Sequence, residues 1–170
     1  IALSLVIMAG SELFTGNNMA MFSGMLNKKI TVKAGISIWI FSYLGNLAGS
    51  MLVGLLFFLS NAANKEVAGF LLNTAKSKMN TPAPDLFFKG ILCNILVCLA
   101  VLSAVKLKEE TAKLIMIFWC LFAFITTGFE HSVANMSLFS AALLYPHPLE
   151  ISLIGFGYNL FWVTLGNIVG

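Results

Sequence analysis

A glutamate and a histidine stand side by side in Gly128-Phe129-Glu130-His131-Ser132-Val133-Ala134-Asn135, within a stretch otherwise apolar enough to lie in lipid. Ionisable groups at membrane depth are costly, so they face a cavity or a partner and mark a pathway. Histidine has an unperturbed pKa of about 6.5, so modest surroundings set its charge near neutral pH. The chemistry on offer is proton donation or charge compensation. A small monovalent anion meets a prohibitive desolvation cost at an apolar constriction, whereas its conjugate acid does not. A histidine between two constrictions answers that difficulty by giving the anion a proton or a compensating positive charge. The hydroxyl of Thr15, with backbone N–H groups freed where a helix breaks, is the candidate for holding the anion meanwhile.

Composition sets the class. Of 170 residues, 59% are hydrophobic and 10% charged, where soluble domains carry about 25% charged residues. This is a polytopic membrane protein, all-α by its long apolar runs. Its basic residues are all lysines, spread along the chain, and the net charge of +3 forms no basic patch of the kind that binds nucleic acid. Cys93, Cys98 and Cys120 lie in apolar segments without metal-ligand spacing and read as small buried hydrophobes. No metal and no cofactor is expected.

The elements that must position Glu130 and His131 follow from the apolar runs. Ile1 to about Leu26 is long enough to span, since crossing takes about 20 residues, but its middle reads Gly10-Ser11-Glu12-Leu13-Phe14-Thr15-Gly16-Asn17-Asn18. Such an interruption survives at membrane depth only when buried in protein or lining a cavity. A second span runs from Ile36 to about Ser60, and Asn61 to Asp85 is a polar connection. A third runs from Leu86 to Val105. The fourth, Leu114 to about Leu144, exceeds one crossing and so is also broken at its polar centre, and a fifth begins at Ile151. Short loops holding Lys28, Lys29, Lys33, Lys106, Lys108 and Lys113 face the cytoplasm by the positive-inside rule. Both ends fall inside apolar runs, so a further membrane element is expected before Ile1 and the completion of another after Gly170.

The two halves repeat. Gly10-x-Glu12-x4-Asn17 is matched by Gly128-x-Glu130-x4-Asn135, and Leu44-Gly45-Asn46-x-x-Gly49 by Leu165-Gly166-Asn167-x-x-Gly170. The first broken span runs outside to inside and its counterpart inside to outside. Inverted repeats with interrupted helices are a recurring transporter design, with the substrate site where the interruptions meet. That places Thr15 near His131. The carboxylates of Glu12 and Glu130 are expected to accept hydrogen bonds from backbone N–H groups freed by the breaks. Asn17, Asn94 and Asn135 read as links at helix ends and between helices.

Gly-Ser-Glu-Leu-Phe-Thr-Gly-Asn (10 to 17), Gly90-Ile91-Leu92-Cys93-Asn94-Ile95-Leu96-Val97-Cys98-Leu99-Ala100 and Gly128-Phe129-Glu130-His131-Ser132-Val133-Ala134-Asn135-Met136 resemble the formate/nitrite transporter family, which includes a hydrosulfide channel branch. The resemblance covers nearly the whole chain, which would be one transmembrane channel domain, residues 1–170, lacking its first helix and the end of its last. It implies an aquaporin-like inverted repeat with two interrupted helices, six spans per protomer and a homopentamer with a pore in each protomer. It further implies a multi-pass protein of the bacterial inner membrane passing formate, nitrite, hydrosulfide and protons. His131 matches the pore histidine, Thr15 the threonine of the broken span and Lys78 the lysine near the outer side of the pore, although Lys76 lies two residues away. Leu3, Leu13, Phe14, Val97 and Phe124 fall where the family has its hydrophobic constrictions. Glu130, Asn94 and Asn135 fall at its supporting polar groups.

Two rival classes are weighed on the same residues. A membrane metalloenzyme built on Glu12, Glu130 and His131 lacks the spaced ligand set that zinc sites show. An aquaporin-type channel for small neutral solutes should carry paired Asn-Pro-Ala motifs, whereas the breaks read Thr15-Gly16-Asn17 and Val133-Ala134-Asn135.

Overall fold

A computed structural model describes residues 2–170. Ile1, where the first span was read to begin, lies outside the described residues. The chain folds into helices α1 (Ala2–Ala9), α2 (Phe14–Leu26), α3 (Val32–Leu59), α4 (Lys65–Met79), α5 (Ala83–Lys106), α6 (Glu110–Thr126), α7 (Ser132–Ala142) and α8 (Leu153–Val169). The breaks fall where glycine precedes a glutamate by two residues: α1 gives way to α2 between Gly10 and Leu13, and α6 to α7 between Thr127 and His131.

Both breaks are made the same way. Gly10 has φ +65° and Gly128 φ +70°, a conformation costing L side chains roughly 1–2 kcal/mol per residue. Around Gly10, Ser11 N–H donates to Val6 O at 2.9 Å and Gly10 N–H to Ile7 O at 3.4 Å. Around Gly128, Phe129 N–H donates to Phe124 O at 3.0 Å and Gly128 N–H to Ile125 O at 3.2 Å. This paired closure is the Schellman motif, which satisfies the last carbonyls of a helix and turns the chain out of it.

One expectation is corrected. The polar stretch Asn61 to Asp85, read as a connection, contains α4. Asn64 Oδ1 caps it by accepting from Val67 N–H at 2.9 Å, with Glu66 in its first turn and Lys76 and Lys78 in its last. That charge order suits the helix dipole. Leu71, Leu72, Ala75 and Met79, at helical spacing, pack on Phe139, Ala142 and Ile151. Its polar exposed face masked this narrow apolar stripe. The same cause moves the start of α5 to Ala83, where Pro82 and Pro84 open the helix.

The packing is close. α5 lies against α8 and α6, and α3 against α7. A Cβ on Gly90 would come within 2.9 Å of Val163 O, and one on Gly54 within 2.9 Å of Ala141 N. One on Gly166 would collide with the Phe87 carbonyl. Without side chains at these crossings the backbones meet, as membrane helices commonly do through small residues. Outside the bundle, Phe41, Leu52, Phe118, Ile125 and Phe161 are exposed, while Thr15, Asn94, Asn159 and Asn167 are buried. That distribution suits a lipid solvent rather than water, and α3 and α5 are each long and apolar enough to cross it.

Candidate functional site

His131 is the N-cap residue, immediately before α7. Its backbone is extended, and its Nδ1 accepts a hydrogen bond from Ala134 N–H at 3.1 Å, capping the helix. Because Nδ1 is an acceptor there, a neutral ring carries its proton on Nε2. Thr15, in the first turn of α2, places Oγ1 2.9 Å from that Nε2. Both residues are buried. The structure thus brings together the two residues that the repeat placed near one another, as a donor–acceptor pair linking the two broken helices. The Phe124 ring lies over the imidazole, with centroids 5.8 Å apart and planes 17° apart.

Two joined apolar clusters adjoin this contact. Cys93, Val97 and Phe124 form one. Leu3 forms another with Ala100, Ala104, Ile117 and Cys120, and Leu13 packs against it. Leu96 and Leu121 touch both clusters and join them. Phe14 belongs to neither. Its ring stands edge-on to Tyr43 at 4.9 Å, turned toward α3, so its neighbour Leu13 and not Phe14 faces the Leu3 cluster.

The polar groups of the two breaks correspond atom for atom. Asn17 Nδ2 donates to Glu12 Oε2 at 2.6 Å and Asn135 Nδ2 to Glu130 Oε2 at 2.6 Å. Phe14 N–H donates to Asn46 Oδ1 at 2.9 Å and Ser132 N–H to Asn167 Oδ1 at 2.9 Å. Asn46 Nδ2 then donates to Glu12 O at 3.1 Å, and Asn167 Nδ2 to Glu130 O at 3.0 Å. This corrects the expectation that the two carboxylates accept the freed backbone N–H groups. Those N–H groups point sideways at α3 and α8, where asparagine amides meet them, and each carboxylate instead holds the asparagine one turn into its own helix. Asn46 and Asn167 were not singled out from sequence. Their signal was present in the second repeated motif, Leu-Gly-Asn-x-x-Gly.

The halves differ in burial and charge. Glu12 is exposed, while the Glu130 side chain is 4% exposed and forms an ion pair with Lys78 Nζ at 2.7 Å. Lys76 turns the other way, to Glu150 Oε1 at 2.8 Å on the surface. Of the two lysines, Lys78 reaches the break. Asn135 Nδ2 also donates to Asn159 Oδ1 at 2.9 Å, and Asn159 Nδ2 to Lys78 O at 2.8 Å, so α4, α7 and α8 are tied around Glu130. Asn94 joins from α5, donating to Asn167 O at 2.6 Å, and Asn18 from α2 donates to the same oxygen at 3.1 Å. Asn167 is therefore the junction of both breaks and α5.

A cavity of about 590 Å³ adjoins the first break, walled by Leu3, Leu13, Glu12, Gly16 and Ala104, with Glu110 and Lys113 of α6 also lining it. It reaches the Leu3 and Leu13 cluster from the lysine-rich end of the molecule, where α5 closes and α6 opens.

Two interrupted helices meeting in a buried polar pair, inside an all-α bundle with an apolar exterior, define a membrane protein of the interrupted-helix class. The formate/nitrite transporter family model matches residues 1–170, and the chain belongs to that family. It is 47% identical over 171 residues to the nitrite transporter NirC of Salmonella typhimurium, covering 98% of the chain and 62% of that relative. A solved structure of an ion channel of the family superposes with a TM-score of 0.93 at 45% identity, covering 98% of this chain and 67% of that one. A pentameric formate channel with formate bound superposes with a TM-score of 0.86 at 28% identity, covering 99% of this chain and 73% of that one. The chain is thus a multi-pass membrane protein and spans about 62% of the curated relative's length.

Proposed function

We propose that the protein passes small monovalent anions, formate, nitrite or hydrosulfide, across a bacterial inner membrane, with His131 supplying a proton or compensating charge. It acts by transport and not by catalysis, as one channel domain of aquaporin-like inverted repeats in a homopentamer. The observation that carries this reading is the buried Thr15–His131 contact at 2.9 Å, with the Phe124 ring stacked on the imidazole and the joined apolar clusters of Val97 and Phe124 and of Leu3 and Leu13 nearby. The similar solved channel is pentameric and holds formate, and the similar relative is a nitrite transporter.

The geometry supports a specific sequence of events. Lys78, partly exposed and paired with Glu130, draws the anion toward the break. Thr15 Oγ1 accepts from Nε2–H, which leaves its own hydroxyl proton for the anion. A second proton on the ring must sit on Nδ1, which displaces the Ala134 N–H held there at 3.1 Å. Charging His131 and uncapping α7 are therefore one event. The imidazolium so formed passes its Nε2 proton to Thr15 Oγ1 as the Thr15 hydroxyl gives its own proton to the anion, which leaves a neutral ring protonated on Nδ1, and the neutral acid crosses the apolar cluster without the desolvation cost of the charge. The Gly, Glu and Asn scaffold around both breaks is structural: it holds Thr15 and His131 in register.

The test is flux into liposomes carrying the full-length protein, with nitrite, formate and hydrosulfide at several pH values and a pH dye inside. Anion entry with matching proton entry is expected, with its pH dependence abolished by His131→Asn. Absence of flux for all of these anions would sink the reading.

A further inference from the structure

The two breaks differ at a second position besides that of His131. Under the repeat that pairs Gly10 with Gly128, Leu13 stands at the place of His131 and Val6 at the place of Phe124. The titratable ring and the aromatic ring occur together in one half, and aliphatic residues replace both in the other. The break itself fixes Phe124: its carbonyl accepts from Phe129 N–H at 3.0 Å, as Val6 O accepts from Ser11 N–H at 2.9 Å in the first half. Phe124 is buried. Its ring lies over the imidazole with centroids 5.8 Å apart and planes 17° apart, within the roughly 6 Å over which an aromatic face attracts a cation.

That face matters once the ring is charged. A proton on Nδ1 displaces the Ala134 N–H held there at 3.1 Å, so the charged ring keeps Thr15 Oγ1 at Nε2 and loses its other anchor. The surrounding groups are already engaged. From α4 comes Lys78, a like charge, and its ion-pair partner Glu130 has Oε1 on Lys78 Nζ and Oε2 on Asn135 Nδ2. From α8, Asn167 Oδ1 accepts from Ser132 N–H, and its main-chain oxygen accepts from Asn94 and Asn18. From α5 come Cys93 and Val97, in the apolar cluster of Phe124, and Lys89, whose carbonyl accepts from Glu130 N–H at 3.4 Å. We propose that Phe124 is the positioning residue for the charged state of His131: its π face holds the imidazolium in register with Thr15 while the cap on α7 is open. The contact is an offset stack for the neutral ring and a cation–π contact for the charged one, so it strengthens as the proton arrives. This rests on the reading in which His131 carries a proton and deepens it, since the aromatic ring then takes part in the proton step besides forming an apolar wall.

The experiment varies the charge distribution of the ring at nearly constant shape. In the full-length protein in liposomes, Phe124 is replaced by mono-, di- and trifluorinated phenylalanine, each fluorine weakening the negative face of the ring. Nitrite and formate flux is followed from about pH 5 to about pH 8, the range in which a histidine titrates. A charged ring held less well forms at lower pH. The pH of half-maximal flux should therefore fall step by step along the series, by about one pH unit at the trifluorinated end, the scale of a desolvated cation–π contact. Phe124→Leu, which keeps an apolar wall and removes the face, should lie at or below that end. In a His131→Asn background the series should produce no ordered shift. A midpoint that stays at the wild-type value, or that moves without following the number of fluorines, overturns the assignment, as does an ordered shift that persists without His131. Wild-type flux that does not vary with pH would defeat the proton-carrying reading itself.

Discussion

Thr15 Oγ1 stands 2.9 Å from His131 Nε2, a contact between one residue of each broken helix, 116 positions apart in the chain. Neither partner is placed by chance. Thr15 follows the residue whose N–H is held by Asn46, and His131 precedes the residue whose N–H is held by Asn167. The two scaffolds are matched, and the residues they present are not: the position of His131 in one half is Leu13 in the other.

Thr15→Val keeps the shape and removes the acceptor of the buried Nε2–H. An orphaned buried donor costs about 1–3 kcal/mol, so the thermal unfolding temperature in detergent should fall, and anion flux with it. Thr15→Ser should retain both within a small factor. Equal behaviour of the valine and serine variants would show that the hydroxyl is idle.

The cap on α7 separates the two duties of His131. Asparagine is a good helix N-cap and does not titrate, whereas leucine can do neither. Both variants lose the buried contact to Thr15, so both should be less stable than wild type, and His131→Leu should fall below His131→Asn by about 1 kcal/mol, the typical worth of a cap. Both should lose the pH dependence of flux. Stability measured by thermal denaturation and flux measured in liposomes would then follow different variants.

Asn167 accepts from Ser132 N–H and donates to Glu130 O and to Gly90 O at 2.8 Å. Asn46 makes the first two kinds of bond, and no third among the described residues. Asn167→Ala, which takes the partner from Ser132 N–H and Glu130 O and a second bond from the helical carbonyl of Gly90, should cost more than the loss of one hydrogen bond, each buried group left unpaired contributing about 1–3 kcal/mol. Asn46→Ala should cost less because its partner Glu12 is exposed. Denaturation of the two variants side by side decides it, and an equal loss would mean that burial does not set the cost.

Which parts of this arrangement the sequence discloses follows from the range of each signal. The breaks are legible because glycine, glutamate and asparagine recur at one spacing in both halves, and because polar groups in an apolar run demand an explanation at once. The direction in which Phe14 points is not legible, since at a break the helical period that sorts inward from outward residues has only just begun. Nor is the pairing of Lys78 with Glu130, which are 52 residues apart. Lys76 and Lys78 are alike by composition, and only the turn of α4 sends one to the break and the other to Glu150. Asn46 and Asn167 lie between these cases, visible as a repeat but not as hydrogen-bond partners of a segment one helix away.

The surface pair offers a pH test with a known sign. The hydrogen bond from Lys76 holds the Glu150 carboxyl below its ordinary value, helped by Glu150's own backbone and by the charge of Lys76. A carboxyl depressed in the folded state adds stability above its unfolded value, and that stability is lost as pH falls through the folded value. Lys76→Gln should let Glu150 titrate at higher pH, read by carboxyl resonances, and should narrow the acid side of the stability profile only slightly, because the pair is half exposed and screened. A large stability loss in that variant would mean that the pair also anchors α4.

Lys78 and Glu130 should behave in the opposite way, because the carboxylate is nearly enclosed. Lys78→Met leaves Glu130 buried with only Asn135 Nδ2 at 2.6 Å to answer its charge. Breaking a buried pair by removing one partner typically costs about 3–5 kcal/mol, and the lysine's 22% exposure should bring the loss toward the lower end. Adding Glu130→Gln removes the unanswered charge while keeping an oxygen for Asn135, so the double variant should be more stable than Lys78→Met alone. Thermal unfolding of the two single variants and the double variant closes the cycle. Additive losses would show that Lys78 and Glu130 are neighbours without being partners, and the path from the outer face to His131 would then have to begin at another residue.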